Sequence, residues 1–263
     1  MFSYYTIIGK DLNLFKGHID NVKQYAGFDK LECDKELITI VYKNKNIPEE
    51  VTSEILEYCD NEEISTFLYE EETDNFLHNL YACWNLGYEK SKGGRVFRGG
   101  SDQVFSKDSF ISLEKLSRDL DKTILQANTI ECLPRLRKIG ATSRHIEADF
   151  GFNFDNFNLE GFEEFVNAMN KSCDKELLTI DECLYRWGKP TGFNCSLGPI
   201  NRCDGCSWLM TKEQWEEFGP MPEIENGITG DVLIHDRMQQ AGYKSLMVRD
   251  CVTYHFVQGE STA

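Results

Sequence analysis

The sequence predicts an α/β fold: a doubly wound, mostly parallel sheet flanked by helices, in a single domain. Strand and helix patterns alternate three times over the first hundred residues, in units of about 30 residues, which is typical of consecutive βαβ units. Each predicted strand ends in a polar or glycine-rich segment, where ligands gather in such sheets. The 263 residues, 41% of them apolar, suffice for one large core and exclude global disorder.

The first half contains four predicted strands, recognised by runs of β-branched and aromatic residues. Helical spacing follows the first strand, Pro48 opens the helix after the second, and Asp74 is the predicted N-cap of the third helix. The strands cover residues 4–9, 37–42, 64–69 and 95–98. The helices cover residues 12–25, a segment from Pro48 onwards, and a segment from Asp74 to Lys90.

The second half is less regular. Residues 121–200 match no overall pattern; they contain a predicted helix over 159–169 and an aromatic, Asn-rich stretch at 150–157, which fits either an edge strand or a loop folded over a site. Regular patterns return near the C-terminus. The predictions there are a strand over 207–210, helices over 212–218 and 232–240, and a strand over 244–248 followed by the segment 251–256.

The charge balance limits the partners. Subtracting 44 Asp and Glu from 28 Lys and Arg gives a net charge of −16, with a pI near 4.8. This excess of carboxylates argues against a protein whose main task is to neutralise phosphate backbones, so nucleic acid is not an expected partner. It leaves room for a local basic pocket that binds one small phosphorylated ligand.

The compartment predicted from the sequence is the cytoplasm. Residues 1–9 lack the charged region and the long apolar run of a signal peptide, and no stretch approaches the roughly 18–20 apolar residues of a membrane span. Ten cysteines spread over 263 residues do not indicate a small disulfide-stapled fold. We therefore expect mostly buried, free thiols.

One cysteine pair has metal-ligand spacing. Cys203 and Cys206 form a CxxC, with Cys195 upstream, which is one half of a zinc-ribbon pattern. A zinc site needs a second CxxC or a histidine pair, and the sequence contains neither, so plain packing is predicted rather than structural zinc. GxGxxG, Walker, GxSxG and HExxH motifs are absent too, which removes the main support for dehydrogenases, P-loop kinases, esterases and zinc proteases.

Three residues stand where chemistry is expected. Asp102 follows a glycine-rich turn after the fourth strand; a carboxylate there holds a divalent cation on a diphosphate, or else makes an Asx-turn or a helix cap. Asp231, directly before an amphipathic helix, is either a general base or an N-cap. His255, between two aromatic residues, is either a ligand for a Mn-like metal or a structural histidine. The patterns alone leave these alternatives open.

Four stretches resemble, in order, the GT-A glycosyltransferases, above all glycosyltransferase family 2 and its relatives. Residues 85–93 are similar to the N-x-G-…-A-x-G helix end that precedes the nucleotide-sugar strand, and residues 95–105 to the strand that ends in D-x-D. Residues 205–219 are similar to the acceptor-side stretch. Gly230-Asp231, with Ala241-Gly242-Tyr243 and Tyr254-His255 after it, is similar to the ending E-D-…-aGy-…-H.

The resemblance implies a fold and a reaction. The fold is GT-A, a Rossmann-like mixed sheet flanked by helices. A nucleotide-sugar-binding half would lie in residues 1–120, an insertion in 121–200, and an acceptor and catalytic half in 201–263. The reaction is a metal-dependent, inverting transfer of a hexosyl or pentosyl group from a UDP- or GDP-sugar to an acceptor hydroxyl.

The resemblance also implies roles for particular residues. Asp102 matches the second aspartate of D-x-D, and His255 matches a late histidine; both are implied ligands of Mn²⁺ or Mg²⁺. Asp231 matches the aspartate of the E-D pair, which is the implied base for the acceptor hydroxyl.

The chain departs from the family pattern at three places. Gly100 replaces the first aspartate of D-x-D, Gly230 replaces the glutamate of E-D, and Tyr42-Lys43-Asn44 stands where relatives often carry an aspartate for the nucleoside. Other strand-end residues are therefore expected to contact the donor. They are Asp11 and Glu70 for the nucleoside, Arg98 or Lys10 for a phosphate, and Ser101 as a further donor contact.

Three other functions remain open from the sequence. A non-catalytic nucleotide-sugar or glycan-binding module would keep the fold and lose the full D-x-D and E-D. A glycosyltransferase for a hydroxylated DNA base would need a basic stripe near Asp231, and the low overall basicity speaks against it. A zinc-stapled interaction domain would form around Cys203 and Cys206. The acceptor class stays open between glycan, lipid, protein and modified base.

Overall fold

One mixed sheet organises the chain. The computed structural model describes residues 1–119, 121–132, 145–171, 173–179, 182, 195–196, 207–222 and 229–256. In these ranges the strands are β1 Phe2–Ile8, β2 Lys35–Lys43, β3 Ser65–Glu70, β4 Arg95–Arg98, β5 Gln103–Phe105, β6 Thr123–Cys132, β7 His145–Ala148, β8 Leu177–Leu178, β9 Cys195–Ser196, β10 Trp208–Thr211 and β11 Lys244–His255. The helices are α1 Leu12–Asp20, α2 Glu49–Asn61, α3 Phe76–Lys90, α4 Ser109–Leu116, α5 Leu159–Lys171, α6 Lys212–Phe218 and α7 Gly230–Gln240.

The strand order confirms the predicted α/β class. Across the sheet the order is β3-β2-β1-β4-β10-β6-β11-β5, with β7 beside β6, β9 beside β7, and β8 beside β11. The strands β1 to β4 pair in parallel, β10 runs antiparallel to β4 and β6, and β11 runs parallel to β6. The sheet is therefore mixed, because β10 enters between the two parallel sets.

Alternate side chains of the central strands enter different cores. On one face Tyr4 packs against Phe97 and against Phe110 of α4, in a core shared with α1 and α2. On the other face Tyr5 belongs to a core shared with α3 and α7, which includes Trp84. This two-residue alternation is that of a strand covered on both sides. Each such buried aromatic side chain contributes about 1.5–3 kcal/mol to folding.

Two predicted helix boundaries are wrong. The first helix ends at Asp20, and the turns that follow, Asn21–Tyr25, form a π-helix. The third helix is capped by Asn75 and not by Asp74, because the Asn75 side chain accepts hydrogen bonds from two N–H groups of the first turn. The Asp74 carboxylate instead pairs with Lys45.

The segment that matched no pattern contributes to the centre of the sheet. β6 lies between β10 and β11 and pairs with β11 on both sides of an irregularity between Met247 and Val252. The aromatic stretch at 150–157 is a loop with one 3-10 turn, Phe154–Asn156, so the structure selects the loop from the two open interpretations.

The described part of the chain also bears on thiols and membranes. Its free cysteines are Cys33, Cys59, Cys83, Cys132, Cys173 and Cys251. Cys203 and Cys206 lie outside the described residues. Across the described ranges, no helix has both the length and the apolar character needed to cross a bilayer.

Candidate functional site

A hydrogen-bonded turn at the carboxyl end of β4 positions Asp102. The turn leads into β5, and the Gln103 N–H donates to the Gly100 carbonyl at 3.2 Å. The side-chain Oε1 of Gln103 accepts from the Gly100 N–H at 2.9 Å and from the Ser207 hydroxyl at 2.6 Å. Because Ser207 directly precedes β10, the turn is anchored to the neighbouring strand. Ser101 lies in the same turn.

Strand pairing brings Asp102 and His255 together. β5 and β11 pair antiparallel with Gln103 opposite His255, and the Phe256 N–H donates to the Asp102 carbonyl at 2.9 Å. The carboxylate Oδ2 of Asp102 consequently lies 2.9 Å from Nε2 of His255, and each side chain is 1% exposed. The two residues predicted as metal ligands thus form one buried pair, although 153 positions separate them.

The carboxylate and the imidazole of this pair suit a divalent cation. Carboxylate and imidazole are both ligands of Mn-like metals. Over the described ranges, no group of three or more His, Cys, Asp or Glu side chains is arranged to hold a metal. Divalent ions at phosphate sites commonly complete their coordination with phosphate oxygens and water.

Asp231 lies in the first turn of α7 and contacts α3. The N-cap of α7 is Thr229, so the interpretation of Asp231 as the N-cap is wrong. The Oδ1 atom of Asp231 accepts from the Tyr81 hydroxyl at 3.0 Å. Burial, and after it the charge of Asp231, raise the pKa of the Tyr81 phenol well above its ordinary value. The hydroxyl therefore keeps its proton and orients the carboxylate.

Gly100 and Gly230, the glycines where the resembled pattern has carboxylates, are closely packed. A Cβ atom at Gly230 would lie 1.8 Å from the carbonyl oxygen of Pro222, so any side chain there would require the backbone to move. A Cβ atom at Gly100 would lie 2.6 Å from Oδ1 of Asp102. A side chain at position 100 would therefore displace the carboxylate that pairs with His255.

The other residues predicted to contact the donor pair with groups other than Asp102 and His255, and each has its own contacts. Asp11 caps α1, because its Oδ1 accepts from the Leu14 N–H at 2.9 Å. Glu70, at the end of β3, is exposed, and one of its carboxylate oxygens lies 3.6 Å from Nζ of Lys43. Arg98 is buried on the face of the sheet that α3 covers.

Several residues of this region escape sequence analysis. Tyr81 lies on the apolar face of α3, so its spacing indicates only a core residue. At the ends of β2 and β3 the rings of Tyr42 and Tyr69 stack with their centroids 6.2 Å apart, because the strand register places the two residues opposite each other. The Tyr69 hydroxyl donates to Oδ1 of Asn79 at 3.2 Å. The polar stretch from Tyr42 to Asn44 was the only sequence signal for this cluster.

His18, a buried residue of α1, hydrogen-bonds to Gln103 at the end of the turn that holds Asp102. Nδ1 of His18 lies 2.8 Å from the Gln103 carbonyl and must donate to it, so Nε2 accepts from the Tyr4 hydroxyl at 2.8 Å. The neutral imidazole satisfies both bonds. Burial lowers the pKa of His18 from 6.5 to about 4, against smaller opposing effects of the Gln103 carbonyl and the Asp102 charge.

The lowered pKa of His18 predicts that the folded protein loses stability in mild acid. The unfolded chain binds a proton at His18 near pH 6.5 and the folded chain only near pH 4, so stability is complete above pH 6.5 and falls as the pH drops towards 4. The expected loss in the free energy of unfolding is about 3 kcal/mol. Urea unfolding at pH 7 and pH 4 measures it. His18→Gln should show a shallower pH dependence; equal slopes would contradict the assignment.

Solved structures share the architecture of this chain. GalNAc-T7 with UDP, GalNAc and Mn²⁺ has a TM-score of 0.57 at 12% identity, over 97% of this chain and 43% of its own. The mannosyltransferase PcManGT from Pyrobaculum calidifontis, in complex with GDP-Man and Mn²⁺, has a TM-score of 0.54 at 13% identity, over 97% and 56%. TarS from S. aureus has a TM-score of 0.50 at 13% identity, over 97% and 60%.

These likenesses show that the chain has the GT-A fold, as a single domain. It spans 43% to 60% of the length of the three chains compared. Neither protein-family models nor curated protein sequences give a match.

Proposed function

We propose that the chain is a metal-dependent, inverting glycosyltransferase that moves a sugar from a UDP- or GDP-sugar to an acceptor hydroxyl. The observation that carries the proposal is the buried contact between Asp102 and His255, at 2.9 Å, on the turn after β4 of a GT-A sheet. Structural neighbours that contain UDP or GDP-Man, with Mn²⁺, support the donor class. The free thiols support a reducing, cytoplasmic location.

Asp102 and His255 are the residues that would hold Mn²⁺ or Mg²⁺. A bound divalent cation would neutralise charge on the departing nucleoside diphosphate. The protein's own contribution is to fix both ligand side chains in advance: Gln103 and Ser207 hold the turn, and the β5–β11 pairing holds His255. Preorganised ligands avoid the entropic cost of ordering them around the substrate.

Asp231 is the proposed general base. Its carboxylate would accept the proton of the acceptor hydroxyl as that oxygen bonds to the anomeric carbon and the bond from this carbon to the diphosphate breaks. Attack from the side opposite the leaving group inverts the anomeric configuration. Tyr81 donates to Oδ1 of Asp231, which leaves Oδ2 for the acceptor.

Donor contacts from Asp11, Glu70 and Ser101 remain part of the proposal, whereas Arg98, buried beneath α3, is not assigned to the donor. Ser101 has the most direct support, since it shares a turn with Asp102. Asp11 follows β1 and Glu70 ends β3, and the carboxyl ends of both strands face the same edge of the sheet because the strands β1 to β3 are parallel.

The experiment is hydrolysis of UDP- and GDP-sugars by the full chain with Mn²⁺, with and without a chelator, in which water takes the place of the acceptor hydroxyl. We expect release of nucleoside diphosphate from at least one donor, and its loss on chelation. Release that is indifferent to chelator would contradict the metal dependence. Absence of release from every donor would contradict the transferase.

A non-catalytic nucleotide-sugar-binding module is the second candidate. Close packing favours it, since a carboxylate-bearing side chain at position 230 would require the backbone to move and one at position 100 would displace the Asp102 carboxylate. This candidate predicts that a nucleotide sugar raises the melting temperature in Mn²⁺ by mass action while no nucleoside diphosphate is released.

A further inference from the structure

A buried arginine, for which the described residues provide no anionic partner, lies on the Asp231 side of the sheet. Arg98 is the last residue of β4, and its side chain is 1% exposed. The guanidinium carbon lies 3.6 Å from the ring centroid of Trp84 and 4.6 Å from that of Trp208. Nη1 donates to Sδ of Met221 at 3.6 Å, a weak acceptor. Nε and Nη2 are buried and have no hydrogen-bond partner in the described part of the chain.

Burying the charge of Arg98 without a counterion destabilises the folded state. A guanidinium stays protonated in proteins, and a buried charge without a counterion is strongly unfavourable. Two tryptophan faces offset part of this cost through cation–π attraction, and they satisfy no N–H group. The ion pairs found in the described ranges do not include Arg98. The site is therefore built for a negative charge that the described chain does not supply.

The unused groups form one binding edge. Nε–H and Nη2–H lie on the same side of a guanidinium and together match the two oxygens of a carboxylate or a phosphate. Among the described residues, the indole Nε1 of Trp208, whose ring contacts this guanidinium, is a further buried donor without a hydrogen-bond partner. The two parallel N–H donors of a cationic guanidinium select an oxyanion over a neutral hydroxyl.

The position of Arg98 connects it to the proposed base. The Trp84 ring that covers the guanidinium packs edge-on against Tyr81 at 5.2 Å, and Tyr81 donates to Asp231. Met221 covers the guanidinium through an unbranched, adaptable side chain, whose displacement would give an anion access.

We propose that Arg98 is an oxyanion subsite for the acceptor, in which Nε and Nη2 donate to the anion. The ligand carries one carboxylate or phosphate group close to the hydroxyl that receives the sugar. The naming of the acceptor rests on the proposed function; the anion site itself does not.

The test is calorimetric titration of the full chain at low ionic strength, without nucleotide sugar or divalent cation. The probes are inorganic phosphate and glucuronate. Arg98→Met removes the Nε/Nη2 donor edge, and Arg98→Lys keeps the positive charge without that edge. Arg95→Met is the matched control, because Arg95 lies on the same strand and already pairs with Glu114 at 3.0 Å.

We expect wild type and Arg95→Met to bind at least one probe equally well, and both Arg98 variants to bind it at least tenfold more weakly. Binding of phosphate alone indicates a phosphorylated acceptor, and binding of glucuronate alone an acidic sugar. Failure of wild type to bind either probe, or unchanged affinity in Arg98→Met, would overturn the proposal. Because the assay omits donor and metal, its failure leaves the hydrolysis experiment unaffected.

Urea unfolding of the same variants separates binding from packing. If Arg98 serves a ligand, its replacement by Met removes a buried unpaired charge, so the unfolding midpoint should stay equal or rise. A lower midpoint together with unchanged anion affinity would assign Arg98 a packing role and overturn the proposal. If Arg98→Met does not fold, Arg98→Lys alone decides through the titration.

Discussion

Asp231→Asn is expected to lower the rate of sugar transfer by about 10²- to 10⁴-fold, while the affinity for the nucleotide sugar stays near wild type. The asparagine has the shape of aspartate and can still accept from Tyr81, but it cannot take a proton from the acceptor hydroxyl. The loss should therefore appear in kcat. Steady-state kinetics with a competent acceptor, beside donor binding by calorimetry, measure both quantities.

Two further variants sharpen this experiment. Asp236→Asn makes the same change further along α7 and should leave the rate unchanged. Tyr81→Phe keeps the base and removes only the 3.0 Å bond that orients it, so we expect an intermediate loss of about tenfold, the worth of one hydrogen bond to a charged group. Transfer by Asp231→Asn at the wild-type rate would rule out this base.

Asp102→Asn is expected to lower Mn²⁺-dependent activity by about 10²-fold or more, since a cation on a leaving diphosphate contributes several kcal/mol to the transition state. Asparagine fits the same buried space and keeps a polar contact with His255, so the fold should survive. A neutral amide oxygen is a much weaker ligand than a carboxylate. Activity measured against Mn²⁺ concentration should show a higher requirement for metal.

The matched control for Asp102→Asn is Asp108→Asn. Asp108 has a left-handed backbone, which asparagine tolerates, and its carboxylate pairs at the surface with Lys30. Circular dichroism of both variants checks that the fold is retained. An unchanged Mn²⁺ dependence in Asp102→Asn would remove Asp102 from the metal site.

Local sequence patterns were sufficient for most of the fold. The strand 37–42 and the helix 212–218 are visible because their periodicity is set by neighbouring residues, and the structure contains them as Lys35–Lys43 and Lys212–Phe218. β6 was not predicted, because its place between β10 and β11 depends on pairing with distant strands, such as Trp208 opposite Gln126 and Lys244 opposite Thr123. The N-cap at Asn75 was missed for the opposite reason, since two adjacent residues are both good caps.

For the candidate site, too, some features could be predicted from the sequence and others could not. Asp102, Asp231 and His255 could be named from the sequence because they follow glycine-rich or strand-end positions and resemble family motifs. Their environments could not. That Asp102 and His255 touch follows from the β5–β11 register, and that Asp231 is oriented by Tyr81 follows from the packing of α7 on α3.

The sequence by itself determined the α/β class and the residue types available for chemistry, since hydrophobic periodicity and strand-end polarity are local properties. Only the tertiary structure decided which of those residues meet. It paired two predicted metal ligands 153 positions apart, left no room for a side chain at Gly230, and left the charge of Arg98 buried between two tryptophans. Contacts of this kind arise from strand pairing and helix packing between distant segments, which no local pattern records.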